Sequence, residues 1–292
     1  MILSKTCTRK LLRAQVFYSL SVGRSIEMKL VGVKVESRGP ILLSSCKVKG
    51  LADANTFPWG KGVQIAALDE NGLIAVDKPA GILSHPNRKG EASGCLLNVP
   101  YDEEVQAFQL GRGTDVDKPV YLLNRLDSAT SGLLLMTVNE RLRDLIRDAF
   151  EKRRIRKVYE ALVFGTSRRE GSNLWKDRLS VSKSQGGLRA SLGSGVAAET
   201  KLLSSQPIPG IPVMSLLTLS PQTGRTHQLR IQASKRGLPI VGDRTYGNFA
   251  KNKHVSRSKG LKRLCLHCTE TSVEYVLGGK KFHLKAISKR PF

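Results

Sequence analysis

The sequence predicts an α+β fold, with many short strands and few helices. Three observations point there. The apolar runs, such as Leu133-Leu134-Leu135-Met136, are strand-length. None reaches the roughly 18–20 residues that a membrane-spanning helix needs. Only two stretches, 139–150 and 226–235, read as helices, and the strands around them do not follow the strand–helix alternation of a doubly wound sheet.

Residues 1–60 lack a clear period and read as an extension. The boundary falls at Pro58-Trp59-Gly60-Lys61-Gly62, because Pro and Gly punctuate structure. There is no internal repeat, and residues 61–292 form the globular domain. Leu73-Ile74-Ala75-Val76 is a strand, stopped by Lys78-Pro79-Ala80-Gly81. Residues 87–94, rich in Gly, Lys and Ser, are a loop. Val120-Tyr121-Leu122-Leu123 is a strand leading into Asn124-Arg125-Leu126-Asp127, and 133–138 is the next.

The first helix follows. Asn139 can cap it, and Leu142, Leu145, Ile146, Ala149 and Phe150 fall at helical spacing. It ends in Lys152-Arg153-Arg154-Ile155-Arg156-Lys157, where cations suit the helix dipole. Residues 158–163 alternate as a strand, with Tyr159, Ala161 and Val163 on one face. Strands follow at 196–203 and 213–219. The second helix closes at Gly237, a common C-terminal stop. Residues 264–267, 271–276 and 281–286 are late strands. The polar, acid-free segment with Lys251, Lys253, Arg257, Lys259, Lys262 and Arg263 reads as a disordered loop that orders on a polyanion.

Charge is the loudest global signal. Lys and Arg number 48 against 24 Asp and Glu, a net +24, and the pI is near 10.2. Such a balance favours a polyanionic partner, nucleic acid first and an anionic membrane surface second. The membrane reading needs a basic amphipathic helix, and no long one stands out. The 5 cysteines are dispersed and odd in number, so they are no disulfide framework. Cys265 and Cys268 have a metal-like spacing, but a structural zinc site normally needs a second pair. They read as two strand thiols. Residues 1–26 carry Lys5, Arg9, Lys10, Arg13 and Arg24 and no acid. That suits an organellar transit segment, a basic RNA-contacting arm, or sequence upstream of a start at Met28.

Three constellations could carry chemistry. The first is Asn124-Arg125-Leu126-Asp127-Ser128-Ala129-Thr130-Ser131-Gly132, where a strand runs into an Arg and an Asp and then a turn of small residues. Strand ends present reactive groups on a rigid scaffold, and an Asp there can equally be a turn-former bonding its own backbone. The second is Thr223-Gly224-Arg225-Thr226-His227-Gln228-Leu229-Arg230. It can bind a phosphate or pin a carboxylate through a guanidinium fork, or it is a solvated basic helix face. The third is Lys157-Val158-Tyr159-Glu160-Ala161. A Tyr in an alternating strand is usually core, but beside a catalytic carboxylate it could stack on a base or move a proton.

Together these segments resemble the RluA family of RNA pseudouridine synthases. The family pattern is His-Arg-Leu-Asp with a Thr-Ser-Gly turn, then Lys-x-Tyr-x-Ala, then Gly-Arg-Thr-His-Gln-Leu-Arg. Here it is matched by 124–132, 157–161 and 224–230. Asp77-Lys78-Pro79-Ala80-Gly81 with His85-Pro86, Gly237 to Asp243 with Tyr246-Gly247, and Leu266-His267 also follow the family. The match runs over residues 63–290 in family order. Asn124 departs from it, standing where His is usual, and no S4-type RNA-binding module is evident in 1–60.

The resemblance implies a largely antiparallel sheet with a central active-site cleft. It implies isomerisation of uridine to pseudouridine in ribosomal or transfer RNA, without cofactor or metal. Asp127 would act at or beside the anomeric carbon, as nucleophile or as base. Arg230 would hold it ionised, with Arg225 supporting the same region, and Tyr159 would stack on the uracil and assist proton transfer. Arg125 would fill the place of the flipped base or hold its backbone. Arg153, Arg154, Lys157 and His227 would contact RNA. The expected state is a monomer off the membrane, in a bacterial cytoplasm or in a mitochondrion or chloroplast. The rival reading is a catalytically silent RNA-binding or ribosome-assembly protein.

Overall fold

The computed structural model describes residues 54–87, 93–111, 119–167, 173–184 and 187–292. The extension before residue 54 and the centre of the 87–94 loop lie outside the described residues. The strands are β1 (Gln64–Leu68), β2 (Leu73–Lys78), β3 (Tyr101–Asp102), β4 (Ala107–Gln109), β5 (Pro119–Leu122), β6 (Ser131–Thr137), β7 (Arg156–Phe164), β8 (Leu174–Ser184), β9 (Gly187–Leu192), β10 (Val196–Ile208), β11 (Met214–Pro221), β12 (Leu266–Leu277) and β13 (Lys280–Ile287). The helices are α1 (Glu140–Glu151), α2 (Gln228–Lys235) and α3 (Phe249–Ser258).

The strands join one mixed sheet in the order β3-β4-β5-β6-β12-β7-β11-β10-β8-β9, with β2 on β6, β1 on β2 and β13 on β12. Among the described strands every pairing is antiparallel except β6 with β12. The key strand is β6, all of whose residues are buried. Each leucine of 133–135 is fully buried and contributes about 1.5–3 kcal/mol. One edge of β6 pairs with β2 throughout. Its other edge is shared: Met136 and Thr137 face β5, whereas Ser131 and Gly132 face His267 and Cys268 of β12. The sheet therefore forks along β6, and residues 124–127 lie in the fork. Gly132 is required there. Its φ is +108°, and a Cβ would overlap the Cys268 backbone.

Several expectations change. Residues N-terminal to the expected boundary already belong to the packed unit. Ala54 and Phe57 are buried in the main core, and Gly60 N–H donates to Leu96 O at 2.8 Å. α1 is capped by Asn139, whose Oδ1 accepts from Leu142 N–H at 3.2 Å. Its buried stripe is Leu142, Ile146 and Ala149, while Leu145 faces solvent. α2 starts two residues later than expected because His227 sits in the left-handed region at φ 52°. The two late strands at 264–267 and 271–276 are one strand, β12, with a register shift between Cys268 and Glu270.

The segment expected to be a disordered loop instead contains α3. Asn248 caps it by accepting from Lys251 N–H, and Val255 is buried in a second apolar cluster with Phe164, Met214 and Cys265. The alternation of β7 holds: Tyr159, Ala161 and Val163 join the main core, and Leu162 and Phe164 join the second cluster. Cys268 lies in the main core and Cys265 in the second cluster, so the two thiols face different layers.

Candidate active site

The fork opens into a cleft of about 1740 Å³. Its floor is the turn after β5. Asn124 ends the β5–β6 ladder, its Oδ1 accepting from Leu135 N–H at 2.9 Å. That is the task of the residue standing where the family has His. Ser84 then fixes the next step, because its buried Oγ accepts from Leu126 N–H at 3.0 Å and donates to Leu126 O at 2.8 Å. Thr130 N–H donates to Asp127 O at 3.0 Å. Lys78, wholly buried, clamps the turn from below by donating to Ser128 O at 3.2 Å, Pro79 O at 3.0 Å and Ile82 O at 2.7 Å. Burial lowers its pKa to about 7, against the pull of Asp127.

These bonds hold the Asp127 carboxylate in the cleft, 28% exposed. Its Oδ2 accepts from Arg230 Nη1 at 3.2 Å and lies 3.8 Å from His227 Nε2. Oδ1 takes no hydrogen bond among the described residues. Arg230 is no solvated helix residue. It is 6% exposed, and its Nε and Nη2 donate to Asp243 at 2.8 and 2.9 Å. Burial opposes the guanidinium charge, but the two carboxylates, Asp243 foremost, outweigh it and raise its pKa. Burial likewise pushes Asp243 up. The bonds from Arg230 and from the N–H groups of Thr245 and Tyr246 reverse this and hold its carboxyl below the usual range. A fixed cation thus stands beside Asp127 with its other donors committed to a buried anchor.

His227 owes its place to its left-handed backbone. Tyr246 OH accepts from Ala190 N–H at 3.0 Å and pairs with His227 Nδ1 at 2.9 Å, so that the Nε2 edge of the ring faces Asp127. Burial depresses the His227 pKa more than Asp127 raises it. Gln228 organises the loop before it, its Oε1 accepting from Thr223 Oγ1 at 2.7 Å and Arg225 N–H at 3.1 Å. The Arg225 side chain goes elsewhere: its Nε donates to Ala197 O at 3.2 Å, so it contacts β10 and not the carboxylate.

Tyr159 and Lys157 line the cleft from β7, two residues apart and so on one face of the strand. Lys157 Nζ lies 5.3 Å from the Tyr159 ring centre. Both side chains are buried. Burial raises the Tyr159 pKa well above the usual phenol value, and Cys268 and Asp127 add to it. Burial lowers that of Lys157. Lys157 is therefore an inner residue of the cleft.

Arg125 stands at the rim, donating from Nη1 to His85 Nε2 at 2.7 Å, with His85 stacked on Tyr101 at 5.2 Å. Arg153 and Arg154 also line the cleft. Arg153 lies 3.6 Å from Glu199, and Arg154 shares Asp148 with Lys152. All nine residues singled out from the sequence border this one cavity. Sequence reasoning missed the anchoring parts of Asp243, Tyr246, Lys78 and Ser84, although the Asp77-Lys78-Pro79, Gly237 to Asp243 and Tyr246-Gly247 motifs marked three of these places.

Known proteins similar to this chain give its family. Residues 72–235 match the family model described as RNA pseudouridylate synthase. The tRNA pseudouridine synthase C of Haemophilus ducreyi is 30% identical over 206 residues, covering 67% of this chain and 79% of that protein. The ribosomal large subunit pseudouridine synthase C of Rickettsia felis is 30% identical over 230 residues, covering 77% and 67%. Among solved structures, the human RNA pseudouridylate synthase domain containing 1 shares the fold at a TM-score of 0.54 and 20% identity, over 80% of this chain and 85% of that one. Fold, motif order and relatives converge: this chain belongs to the RNA pseudouridylate synthases, RNA-modifying isomerases.

Proposed function

We propose that the chain converts uridine to pseudouridine in structured ribosomal or transfer RNA, with Asp127 as the catalytic carboxylate and without a cofactor. The observation that carries the reading is the Asp127–Arg230–Asp243 arrangement. It presents one carboxylate oxygen to the cleft while an immobilised guanidinium holds the other. The reaction moves atoms within one nucleoside and needs no external oxidant or reductant. The C1′–N1 bond breaks, the uracil turns, and C5 bonds to C1′; a proton leaves C5 and N1 gains one. Asp127 acts at C1′ as nucleophile, or beside it as base. Tyr159, its phenol neutral, stacks on the base and passes a proton. A base within a helix cannot reach this floor, so it is flipped out, and Arg125 takes its place or holds its backbone.

The cleft supports a polymer as substrate. Small-molecule pockets occupy roughly 300–1000 Å³, well below the 1740 Å³ found here. Arg153, Arg154, Lys157, Arg225 and His227 line it, and on this reading they contact the RNA. The relatives bear names for both transfer and large-subunit ribosomal RNA, and both are kept as targets.

The test maps pseudouridines in total RNA from cells with the gene, without it, and with Asp127→Asn. The expected result is a site that disappears in both altered strains, while the purified variant binds that RNA within a few-fold of wild type. Near-normal modification by Asp127→Asn would remove the mechanism.

A further inference from the structure

Resting on the RNA-modifying reading above, we infer that α3 and the loop after it form a second RNA-binding surface, which holds the phosphate backbone of a duplex outside the cleft. The segment from Arg244 to Arg263 holds no acid. Its position ties it to the site: Arg244 before α3 and Lys262 and Arg263 after it line the cleft. The helix, about 15 Å long at 1.5 Å per residue, therefore sits where RNA leaving the cleft would pass.

The charges are arranged for a partner and not for the helix. Lys253 and Arg257 are one turn apart, and like charges at that spacing repel. Lys251 lies in the first turn, at the positive end of the helix dipole, where no acid offsets it. Lys253, Arg257 and Lys259 are exposed, and none has an ion-pair partner among the described residues.

The basic run after α1 behaves differently. There Lys152 and Arg154 share Asp148, Arg153 faces Glu199 and Arg156 faces Glu270. Cations neutralised within the protein have less to give a phosphate. Those of α3 are free to displace counterions from RNA. Meanwhile the inner face of the helix is fixed by Val255 and by Asn252, which accepts from Gly242 N–H at 2.7 Å and donates to Asp243 O at 2.9 Å. The surface is thus rigidly joined to the residue that anchors Arg230.

The test compares wild type with Lys253→Gln/Arg257→Gln/Lys259→Gln and with the charge-keeping Lys253→Arg/Arg257→Lys/Lys259→Arg. Three probes are titrated across salt: a strand of about five nucleotides, which fits the cleft alone, an RNA duplex of about 25 base pairs, and anionic phospholipid vesicles. The first two are the RNA probes. For the duplex, the neutral variant should bind about 10-fold or more weakly, with a salt slope shallower by roughly 2–3. Its affinity for the short strand and its melting temperature should match wild type, and the charge-keeping variant should bind the duplex as wild type does. Unchanged duplex affinity and slope would overturn the inference. Equal weakening on both RNA probes would do the same, as would a defect seen only with anionic phospholipid vesicles. Failure of the wild type to bind either RNA would instead refute the RNA-modifying reading itself.

Discussion

Replacing Arg230 by Lys tests the site at its centre. The charge stays, but the fork is lost. Arg230 makes three charge-assisted hydrogen bonds, two to Asp243 at 2.8 and 2.9 Å and one to Asp127 at 3.2 Å. A lysine offers one compact ammonium and cannot bridge both carboxylates in that geometry. Bonds to charged groups contribute about 1.5–3 kcal/mol each. The ammonium should settle on Asp243, which is fully buried, and leave Asp127, which is 28% exposed. Losing the Asp127 contact alone then corresponds to roughly a 10- to 200-fold slower chemical step. The second lost bond should show as about 1.5–3 kcal/mol of stability. The assay is single-turnover pseudouridine formation at saturating RNA, alongside equilibrium binding across salt and a melting curve. RNA affinity should stay within a few-fold. A normal single-turnover rate would refute the argument, and weakened binding beside it would make Arg230 an RNA contact through its guanidinium fork.

Tyr159→Phe keeps the ring and removes the hydroxyl. It should melt within about 0.5–1.5 kcal/mol of wild type, yet react much more slowly; an unchanged rate would return Tyr159 to the core. His267→Gln tests pH dependence. Burial, with Arg263 adding, lowers the His267 pKa from 6.5 to about 4. Between those values the unfolded chain binds a proton that the folded chain refuses, so this residue's stability contribution is lost as pH falls from 6.5 towards 4. The loss is roughly 3 kcal/mol. Chemical denaturation across that range should show a shallower acid slope for His267→Gln, and identical slopes would rule this coupling out.

The sequence displayed the strands well, since β7 alternates and β6 is a plain apolar run. It displayed Asp127, Tyr159 and Arg230 because each sits in a short local motif. It did not display what holds them. Asp243 reaches Arg230 across 13 residues, Ser84 reaches Leu126 across 42, and Lys78 reaches Ser128 across 50. No local period records such partners. α3 was hidden for the same reason. Its composition is that of a solvated loop, and its helix is set by tertiary partners: the Asn248 cap, the buried Val255 and the two backbone bonds of Asn252. The direction of Arg225 was likewise decided by a β10 carbonyl that proximity in sequence does not reveal.

The parallel pairing of β6 with β12 has a consequence for how the enzyme is made. Ser131 follows the Asp127 turn directly, and its Oγ meets His267 Nδ1 at 2.7 Å across 136 residues. Contacts this distant in sequence form late, after many local ones, and slow the folding of the proteins that depend on them. During synthesis the carboxylate leaves the ribosome long before Arg230, and Arg230 before the strand that closes the fork. A half-made chain therefore carries the Asp127 turn with neither its cation nor its β12 wall. The wall of the cleft beside Gly132 is complete only when β12 takes its place there, so on the proposed reading the site is assembled after most of the chain has been made.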